Sequence, residues 1–311
     1  MSILVDHSTR VLVQGITGSE GARATAEMQK YGTRVVAGVR PGKAGQRVHN
    51  VPVYDTVADA LAQHADVNTS LIAVPASAVH AAAVEAIDAR VPLIVILTEH
   101  VPTSVSAEIV ARARDAGVRV VGPSSVGIMS PRVGKIGAIG SSEIHEVFGP
   151  GRIGVISKSG GMTAEIANVL SRGGLGISTA LGIGGDTIIG MDFADALRLF
   201  ADDRETDAVV LFGEIGGTYE EQAAEYLASG VYPKPVVATI AGRFTEQLPQ
   251  GTILGHAGAI VAKGRGSYTS KVTALRASGV RIADRLEEIP ILLTQALYEH
   301  AATHQLALAG R

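Results

Sequence analysis

One histidine of this sequence lies in a setting that leaves its ring open to chemistry. His256 is flanked by Gly255 and Ala257 within the glycine-rich segment Gly251–Gly266. Because Gly and Ala provide no large side chain to pack against, we interpret His256 as a candidate nucleophile. The alternative is a loop histidine that bonds to backbone groups. Four other histidines fall on predicted helices and are interpreted as surface or boundary residues: His64, His80, His300 and His304.

Two further loops complement this histidine chemically. The segment Ser157–Gly161 follows a predicted strand and opens a predicted helix, whose N-terminus would attract anions. Glu214 ends another predicted strand, and the carboxyl ends of strands in an open parallel sheet share one edge. The combination favours a transient phosphohistidine. Glu214 would bond one imidazole nitrogen and leave the other nucleophilic, and the phosphoryl oxygens would be stabilised by Ser159, Gly160 and Gly161. The alternative for Glu214 is a solvated turn residue.

A second glycine loop, Gly15–Gly21 (GITGSEG), follows the first predicted strand and opens the first predicted helix. Such a loop lets a phosphate approach the backbone closely, although a tight turn without a ligand remains the alternative. A dinucleotide site usually has a carboxylate at the end of the second strand. Here Arg40 and Lys43 take that place, which argues against NAD and favours NADP or the 3′-phosphate of CoA. Lys43 could also be a solvated loop lysine.

Strands and helices that alternate along the chain must position these residues. The order predicts an α/β fold with doubly wound parallel sheets. The first series contains strands at Arg10–Gln14, Arg34–Val39, Thr69–Val74, Leu93–Leu97 and Arg119–Val121, with helices at Ser19–Tyr31, Val57–His64, Val79–Ala89 and Ser104–Ala116. The second contains strands at Ile153–Ser157, Ile177–Leu181, Ala208–Phe212 and Pro235–Ile240, with helices at Met162–Arg172, Phe193–Ala201, Glu220–Leu227 and Ser267–Ala277. Gly, Ser and Pro are frequent in Ser125–Arg152, so we predict domains at 1–128 and 151–311 joined by a connection at 129–150.

Composition narrows the functional classes. The 311 residues are 46% hydrophobic and only 4% aromatic, which suits cores of Val, Ile, Leu and Ala in parallel sheets. The net charge of -3 does not point to nucleic acid or to a membrane surface. The sequence has no cysteine, which excludes disulfides, thiolate metal sites and a Cys nucleophile, and no metal site is predicted in the chain. Without an apolar signal segment, a cytoplasmic protein is expected.

The chain resembles the α subunit of succinyl-CoA synthetase over nearly its whole length. Several motifs carry the resemblance in the right order: Gly-Ile-Thr-Gly (15–18), Pro-Gly-Lys (41–43), Val-Pro-Val-Tyr-Asp-Thr-Val (51–57), Thr-Glu (98–99), Gly-Ile-Gly-Gly-Asp (182–186), Gly-Glu-Ile-Gly-Gly-Thr (213–218) and Gly-His-Ala-Gly-Ala-Ile (255–260). It implies an N-terminal Rossmann-like CoA-binding domain and a C-terminal flavodoxin-like ligase domain, with phosphorylation of His256 supported by Glu214. The residues that it places along CoA are Thr17, Gly18, Ser19, Glu20, Lys43, Pro75, Leu97, Thr98 and Glu99. Glu20 departs from the Gln or Lys that the family often has there.

The resemblance also implies a mechanism and a partner. ATP or GTP phosphorylates the histidine, an acyl phosphate forms on a small carboxylic acid, and the CoA thiol displaces phosphate. The chain has no ATP-grasp or P-loop motif of its own. A β subunit with an ATP-grasp domain would therefore bind ATP or GTP with Mg, in an αβ or α2β2 assembly, and the glycines around His256 would let its loop swing between two sites.

Two segments depart from the succinyl-CoA synthetase pattern and are more similar to ATP-citrate lyase and citryl-CoA synthetase. Pro-Asn-Cys-Pro-Gly is replaced by a segment that contains Ser124 and Ser125, and a Tyr near the substrate is replaced by Ala164. The smaller side chain opens the acid pocket. Succinate is the leading acid, with citrate, malate or another acid as alternatives. Two other classes, an NADP-dependent oxidoreductase and a non-catalytic CoA-binding protein, leave the Glu214 and His256 motifs unexplained.

Overall fold

The computed structural model describes residues 2–140, 144–248 and 265–309, with side chains described as far as Thr303 in the last helix. His256 lies outside the described residues. The chain divides into two compact units. The N-terminal unit contains Leu4–Ser142 and Gly182–Met191, and the C-terminal unit contains Met1–Ile3, Glu143–Leu181 and Asp192–Arg311. Both are α/β, which confirms the predicted fold class.

The N-terminal unit contains a seven-stranded sheet. Its elements are β1 (Arg10–Gln14), α1 (Ser19–Lys30), β2 (Arg34–Val39), β3 (Arg47–Val48), β4 (Val51–Tyr54), α2 (Val57–Gln63), β5 (Thr69–Ile72), α3 (Ala76–Asp88), β6 (Leu93–Ile96), α4 (Thr103–Ala116), β7 (Arg119–Val121), β8 (Gly127–Ser130) and β9 (Gly134–Gly137). Seven of these strands form the sheet, in the order β3-β4-β2-β1-β5-β6-β7. All neighbours are parallel except β3 and β4. The chain winds outward from β1 in both directions, so the carboxyl ends of β1 and β5 flank the crevice where such sheets bind ligands.

Short runs of aliphatic residues build this sheet. Leu12, Val13, Leu71 and Ile94 are fully buried, since helices cover both faces of parallel strands. The short edge strand β3 and its neighbour β4 are absent from the sequence prediction. They are two and four residues long, β4 contains a proline, and the pairings of β3 with β4 and of β4 with β2 are contacts that local pattern does not reveal.

The predicted connection contains ordered structure, since β8 and β9 pair as an antiparallel hairpin within the N-terminal unit. Gly127 has φ +108°, and a Cβ there would lie 1.9 Å from the Ile136 carbonyl oxygen. The glycines that suggested a loop therefore allow two strands to approach closely. The hairpin is attached to the rest of its unit by Lys135, whose main-chain N–H donates to Thr33 Oγ1 at 2.9 Å and whose Nζ lies 3.2 Å from Glu27 Oε2.

The C-terminal unit contains a second sheet. Its elements are α5 (Ile144–Val147), β10 (Pro150–Ser157), α6 (Gly160–Arg172), β11 (Ile177–Gly182), α7 (Phe193–Ala201), β12 (Ala208–Glu214), α8 (Tyr219–Ala228), β13 (Val236–Ala241), a 3₁₀ helix (Arg243–Gln247), α9 (Tyr268–Ala277), β14 (Arg281–Ile282), a second 3₁₀ helix (Leu286–Glu288) and α10 (Ile289–Ala309). These strands follow the order β14-β13-β12-β10-β11. The strands β10, β12, β13 and β14 are parallel neighbours, so β10 and β12 end side by side. No helix among the described residues is long and apolar enough to cross a membrane.

Candidate functional site

The residues predicted to lie along CoA follow four neighbouring strands of the N-terminal unit. Lys43 follows β2, the residues Thr17–Glu20 follow β1, Pro75 follows β5, and the segment Leu97–Glu99 follows β6. Main-chain bonds continue past the strand ends, as in Ala73 N to Gln14 O at 3.0 Å. The structure therefore brings all of these residues to one edge of the sheet. Thr17 is half-buried there, and Gly18, Ser19 and Glu20 are exposed.

The turn between β1 and α1 is built around glycine. Gly15 has φ +84°, and a Cβ on it would lie 2.4 Å from the carbonyl oxygen of Ala73. A Cβ on Gly21 would lie 2.3 Å from the carbonyl oxygen of Gly15. No side chain caps α1 at Gly18. The N–H groups of the first helical turn thus have the positive partial charge and the exposed position that suit a phosphate.

Two carboxylates, Asp55 and Glu20, position charged groups around this turn. Asp55 Oδ1 accepts the main-chain N–H groups of Lys43 at 3.0 Å and Ala44 at 3.1 Å, which fixes the cationic loop after β2. Glu20, the departure from the family pattern, pairs with Arg23 at 2.7 Å. That hydrogen bond is the largest cause of the raised pKa of Arg23. Arg23 therefore stays cationic and offsets the charge of Glu20 beside the proposed phosphate site.

The segment that departs from the succinyl-CoA synthetase pattern adjoins this edge. Ser124 has φ +59°, and its N–H donates to the Thr98 carbonyl oxygen at 2.9 Å. The buried Ser125 donates its hydroxyl to the Gly182 carbonyl at 2.5 Å and accepts from Gly127 N at 2.9 Å. Both hydrogen bonds of the Ser125 hydroxyl therefore go to backbone groups. Ser124 is the residue that contacts the proposed CoA segment, through Thr98.

In the C-terminal unit, the turn after β10 prepares the N-terminus of α6. Ser157 Oγ donates to the Ser159 carbonyl at 2.8 Å and accepts from Ser159 N at 3.1 Å. No side chain caps α6, and a Cβ on Gly161 would meet no atom within 4 Å. Ala164 is half-buried in the following turn. The predicted anion loop therefore has an open helix N-terminus, as its sequence indicated.

Glu214 ends β12, the strand that lies next to β10. The register pairs Ser157 with Phe212, so Glu214 and the Ser159 turn extend from adjacent strand ends. Glu214 is half-buried, and its N–H donates to Glu220 Oε1 at 3.1 Å. The structure thus places Glu214 and Ser159 at one edge of the sheet, and His256, the predicted partner of Glu214, lies outside the described residues.

A buried ionic network next to Glu214 has no counterpart among the sequence predictions. Its members are Lys158, Glu220 and Lys271, which are 4%, 1% and 0% exposed, and the half-buried Glu221. Lys158 lies in the predicted anion loop, where the sequence assigns it no role of its own. A signal was present in α9, because Lys271 lies beside Val272 and one turn before Leu275 on the buried face.

Two family models match the chain. A CoA binding domain model matches residues 6–100 and a CoA-ligase model matches residues 156–281. Both matched segments contain the loops described above. The fold and the two models together define the class of this protein as a CoA ligase with an N-terminal CoA-binding domain.

Similar proteins narrow the class. The succinate–CoA ligase [ADP-forming] subunit alpha 2 of Archaeoglobus fulgidus is 46% identical over 96% of this chain and 100% of that protein. An ADP-forming sulfoacetate–CoA ligase subunit of an Acholeplasma species is 40% identical over 95% of this chain and 98% of that subunit. The chain belongs to the family of succinate–CoA ligase α subunits.

A solved structure supports the fold. ATP citrate lyase from Methanothrix soehngenii, in complex with citrate and coenzyme A, matches with a TM-score of 0.88 and 25% sequence identity over 97% of this chain. The chain spans 52% of that longer polypeptide. The resemblance of two segments to ATP-citrate lyase is thus accompanied by a shared fold.

Proposed function

We propose that this α subunit carries phosphate on His256 during the synthesis of an acyl-CoA, with succinate as the favoured acid. One observation carries the proposal. Glu214 and the uncapped N-terminus of α6 extend from the adjacent parallel strands β12 and β10. A carboxylate and a helix N-terminus at one sheet edge are the groups that a phosphohistidine needs, the first for the ring and the second for the phosphoryl oxygens.

The proposed reaction has three steps. The γ-phosphoryl group of ATP or GTP passes to the imidazole nitrogen of His256 and releases the nucleoside diphosphate. A carboxylate oxygen of the acid then attacks the phosphorus, which breaks the N–P bond and forms an acyl phosphate. The CoA thiol, losing its proton, finally attacks the acyl carbon and expels phosphate. The open helix N-terminus at Ser159–Gly161 would stabilise phosphoryl charge in the first two steps.

CoA would lie along the carboxyl edge of the N-terminal sheet. The uncapped turn at Thr17, Gly18 and Ser19 and the loop cation Lys43 suit its phosphates. Pro75 and the residues Leu97, Thr98 and Glu99 follow the neighbouring strands and would line the rest of the ligand. Glu20 lies in the first turn of α1, where its negative charge opposes a bound phosphate.

The nucleotide would be bound by a partner. An α subunit of a heteromeric ligase requires a second chain, and we propose a β subunit with an ATP-grasp domain that binds ATP or GTP with Mg. The assembly would be αβ or α2β2.

Phosphorylation of His256 is tested by mass measurement. The chain is purified with its partner and incubated with ATP and Mg, and the intact mass of the α subunit is recorded before and after acid treatment. One acid-labile phosphoryl group is expected on the wild-type chain and none on His256→Ala. The exposed His7 provides a control, since His7→Ala should gain the group normally. Absence of phosphorylation with the true partner would refute the proposed intermediate.

The residues that depart from the family pattern near the proposed acid pocket make a second acid a candidate beside succinate. Ala164 leaves room where the family has Tyr, and Ser124 adjoins Thr98 in place of the usual motif. The sulfoacetate–CoA ligase subunit among the relatives and the citrate in the matched lyase structure show which acids similar proteins handle. Thioester formation with succinate, malate, citrate and sulfoacetate discriminates between them. Succinate should give the highest kcat/KM, and a higher value for another acid would replace it.

A further inference from the structure

Buried charges surround the backbone of Glu214. Glu220 Oε1 accepts the Glu214 N–H at 3.1 Å and lies 3.3 Å from Lys158 Nζ. Its other oxygen, Oε2, pairs with Lys271 Nζ. Each carboxylate oxygen of this nearly inaccessible side chain therefore has a cation, and one of them also holds the main chain of Glu214.

Lys271 connects this carboxylate to two further pieces of backbone. Its ammonium group also donates to the Gly217 carbonyl oxygen at 3.1 Å and to Glu221 Oε2 at 3.0 Å. Glu221 Oε1 in turn accepts from Gly266 N at 3.1 Å. Three donors on Lys271 thus reach three acceptors, and two lysines balance two glutamates.

The fit around Glu220 is tight. A Cβ on Gly213 would lie 2.6 Å from Glu220 Cγ and 2.8 Å from Oε1. Glycine immediately before Glu214 is therefore needed for the Glu220 side chain to cross the end of β12. The loop that follows is also fixed, because Gly216 N donates to the Gly266 carbonyl oxygen at 2.7 Å.

Stability alone does not account for this arrangement. Removing charges from water is costly, and well-packed apolar side chains in place of a buried ion pair are often equally stabilising. Charged side chains also orient the backbone, since each of their hydrogen bonds fixes the angle and distance of a backbone group. Here the groups fixed are the main chain of Glu214 and the residues that follow it.

We propose that Glu220 is a positioning residue for phosphoryl transfer, with Lys158 and Lys271 as its counterions. It sets the backbone of Glu214 so that the Glu214 carboxylate meets the reacting imidazole. The proposal rests on the proposed function, because Glu214 has this role only if His256 carries phosphate. It assigns Glu220 no contact with substrate.

The test compares Glu220→Gln with Glu225→Gln, a matched control on the exposed face of α8. Both are purified with the partner subunit, and kcat, KM for CoA, melting temperature and the rate of phosphoryl incorporation into the α subunit are measured. Glu220→Gln should lower kcat and the phosphorylation rate about 10- to 100-fold, the usual effect of a misplaced group. KM for CoA should stay within about twofold, since the proposed CoA residues belong to the N-terminal unit. Glu225→Gln should match the wild type in all four measurements.

Three outcomes would overturn the inference. A folded Glu220→Gln variant that is phosphorylated at the wild-type rate would remove the role of Glu220 and leave the proposed function intact. A fall in activity that follows only the folded fraction, with unchanged kcat per folded molecule, would reduce Glu220 to a structural residue. A wild-type chain that forms thioester without a phosphoryl group would instead refute the phosphohistidine, and the role of Glu220 with it.

A second variant, Lys158→Met, tests the proposal if Glu220→Gln does not fold. Lys158→Met leaves Glu220 paired with Lys271 and removes only one counterion, so it is the milder change. It should lower kcat by a smaller factor than Glu220→Gln and leave KM for CoA unchanged. An unaltered kcat in folded Lys158→Met would contradict the role assigned to the network.

Discussion

At the scale of residues, Glu20 is a component of the proposed CoA site whose negative charge disfavours a bound phosphate. An exposed carboxylate in the first turn of α1 competes with a phosphate for the helix N-terminus, and Arg23 offsets its charge at 2.7 Å. The site thus combines a favourable backbone with an unfavourable side chain. Its effect on CoA affinity is therefore open to direct measurement.

We expect Glu20→Gln to lower KM for CoA roughly two- to fivefold, because one repelling charge is removed and Arg23 is released towards the phosphate. Steady-state kinetics at low ionic strength measure the change, which salt should diminish. Asp115→Asn is the control, since Asp115 lies at the far end of α4 and should not alter KM. An increased KM in Glu20→Gln would mean that Glu20 itself contacts CoA favourably.

Gly15 illustrates a residue whose identity is required by backbone geometry. We expect Gly117→Ala to cost about 1 kcal/mol, because its φ of +70° is strained but no atom lies within 4 Å of the added Cβ. Gly15→Ala should cost about 1–3 kcal/mol more, since its Cβ also meets the Ala73 carbonyl oxygen at 2.4 Å. Urea denaturation followed by circular dichroism gives both values. Equal costs for the two variants would show that the turn relaxes.

At the scale of elements, α8 and α9 are joined by charge as well as by packing. Glu221 on α8 accepts from Ser270 Oγ at 2.9 Å and pairs with Lys271 at 3.0 Å, both on α9. Burial raises the pKa of Glu221, but the charge and hydrogen bond of Lys271 together with the Ser270 hydroxyl outweigh it and lower the pKa below its ordinary value of 4.5. The contact between these helices is therefore sensitive to acid.

A carboxyl group with a lowered pKa in the folded state stabilises the protein above its unfolded pKa and loses this contribution as pH falls through the folded value. The free energy of unfolding should therefore decrease as pH falls below the ordinary Glu value of 4.5. Glu221→Gln should show a flatter decrease when urea unfolding is measured from about pH 7 to about pH 3. Glu225→Gln should keep the wild-type slope. Identical slopes for wild type and Glu221→Gln would contradict this assignment.

At the scale of the whole molecule, the chain contains a CoA-binding domain and a CoA-ligase domain, and its sequence shows no ATP-grasp or P-loop motif. We expect the isolated chain to bind CoA, measured by titration calorimetry, and to form no thioester with any acid and ATP. Addition of the partner subunit should restore activity, because the proposed phosphoryl donor site lies there. Thioester formation by the isolated chain would refute this division of labour.

The alternating pattern of the sequence was sufficient for the fold class and for the loops at the strand ends. Aliphatic runs, helical spacing and glycines after strands are local properties, and parallel strands carry their loops to one edge as a matter of geometry. The strand Arg10–Gln14 and the helix Phe193–Ala201 accordingly coincide with their predicted bounds. The motifs in these loops were likewise enough to identify the family, as the relatives confirm.

Contacts between distant residues were decided only by the tertiary structure. Glu220 and Lys271 are 51 positions apart, and Thr33 and Lys135 are 102 positions apart. Periodicity states that a position is buried, but not which side chain it meets there. For that reason local pattern predicts a connection at the glycines of β8 and β9 and does not reveal the charges beside Glu214. The sequence by itself determined which loops could do chemistry, and the fold decided what holds one of them in place.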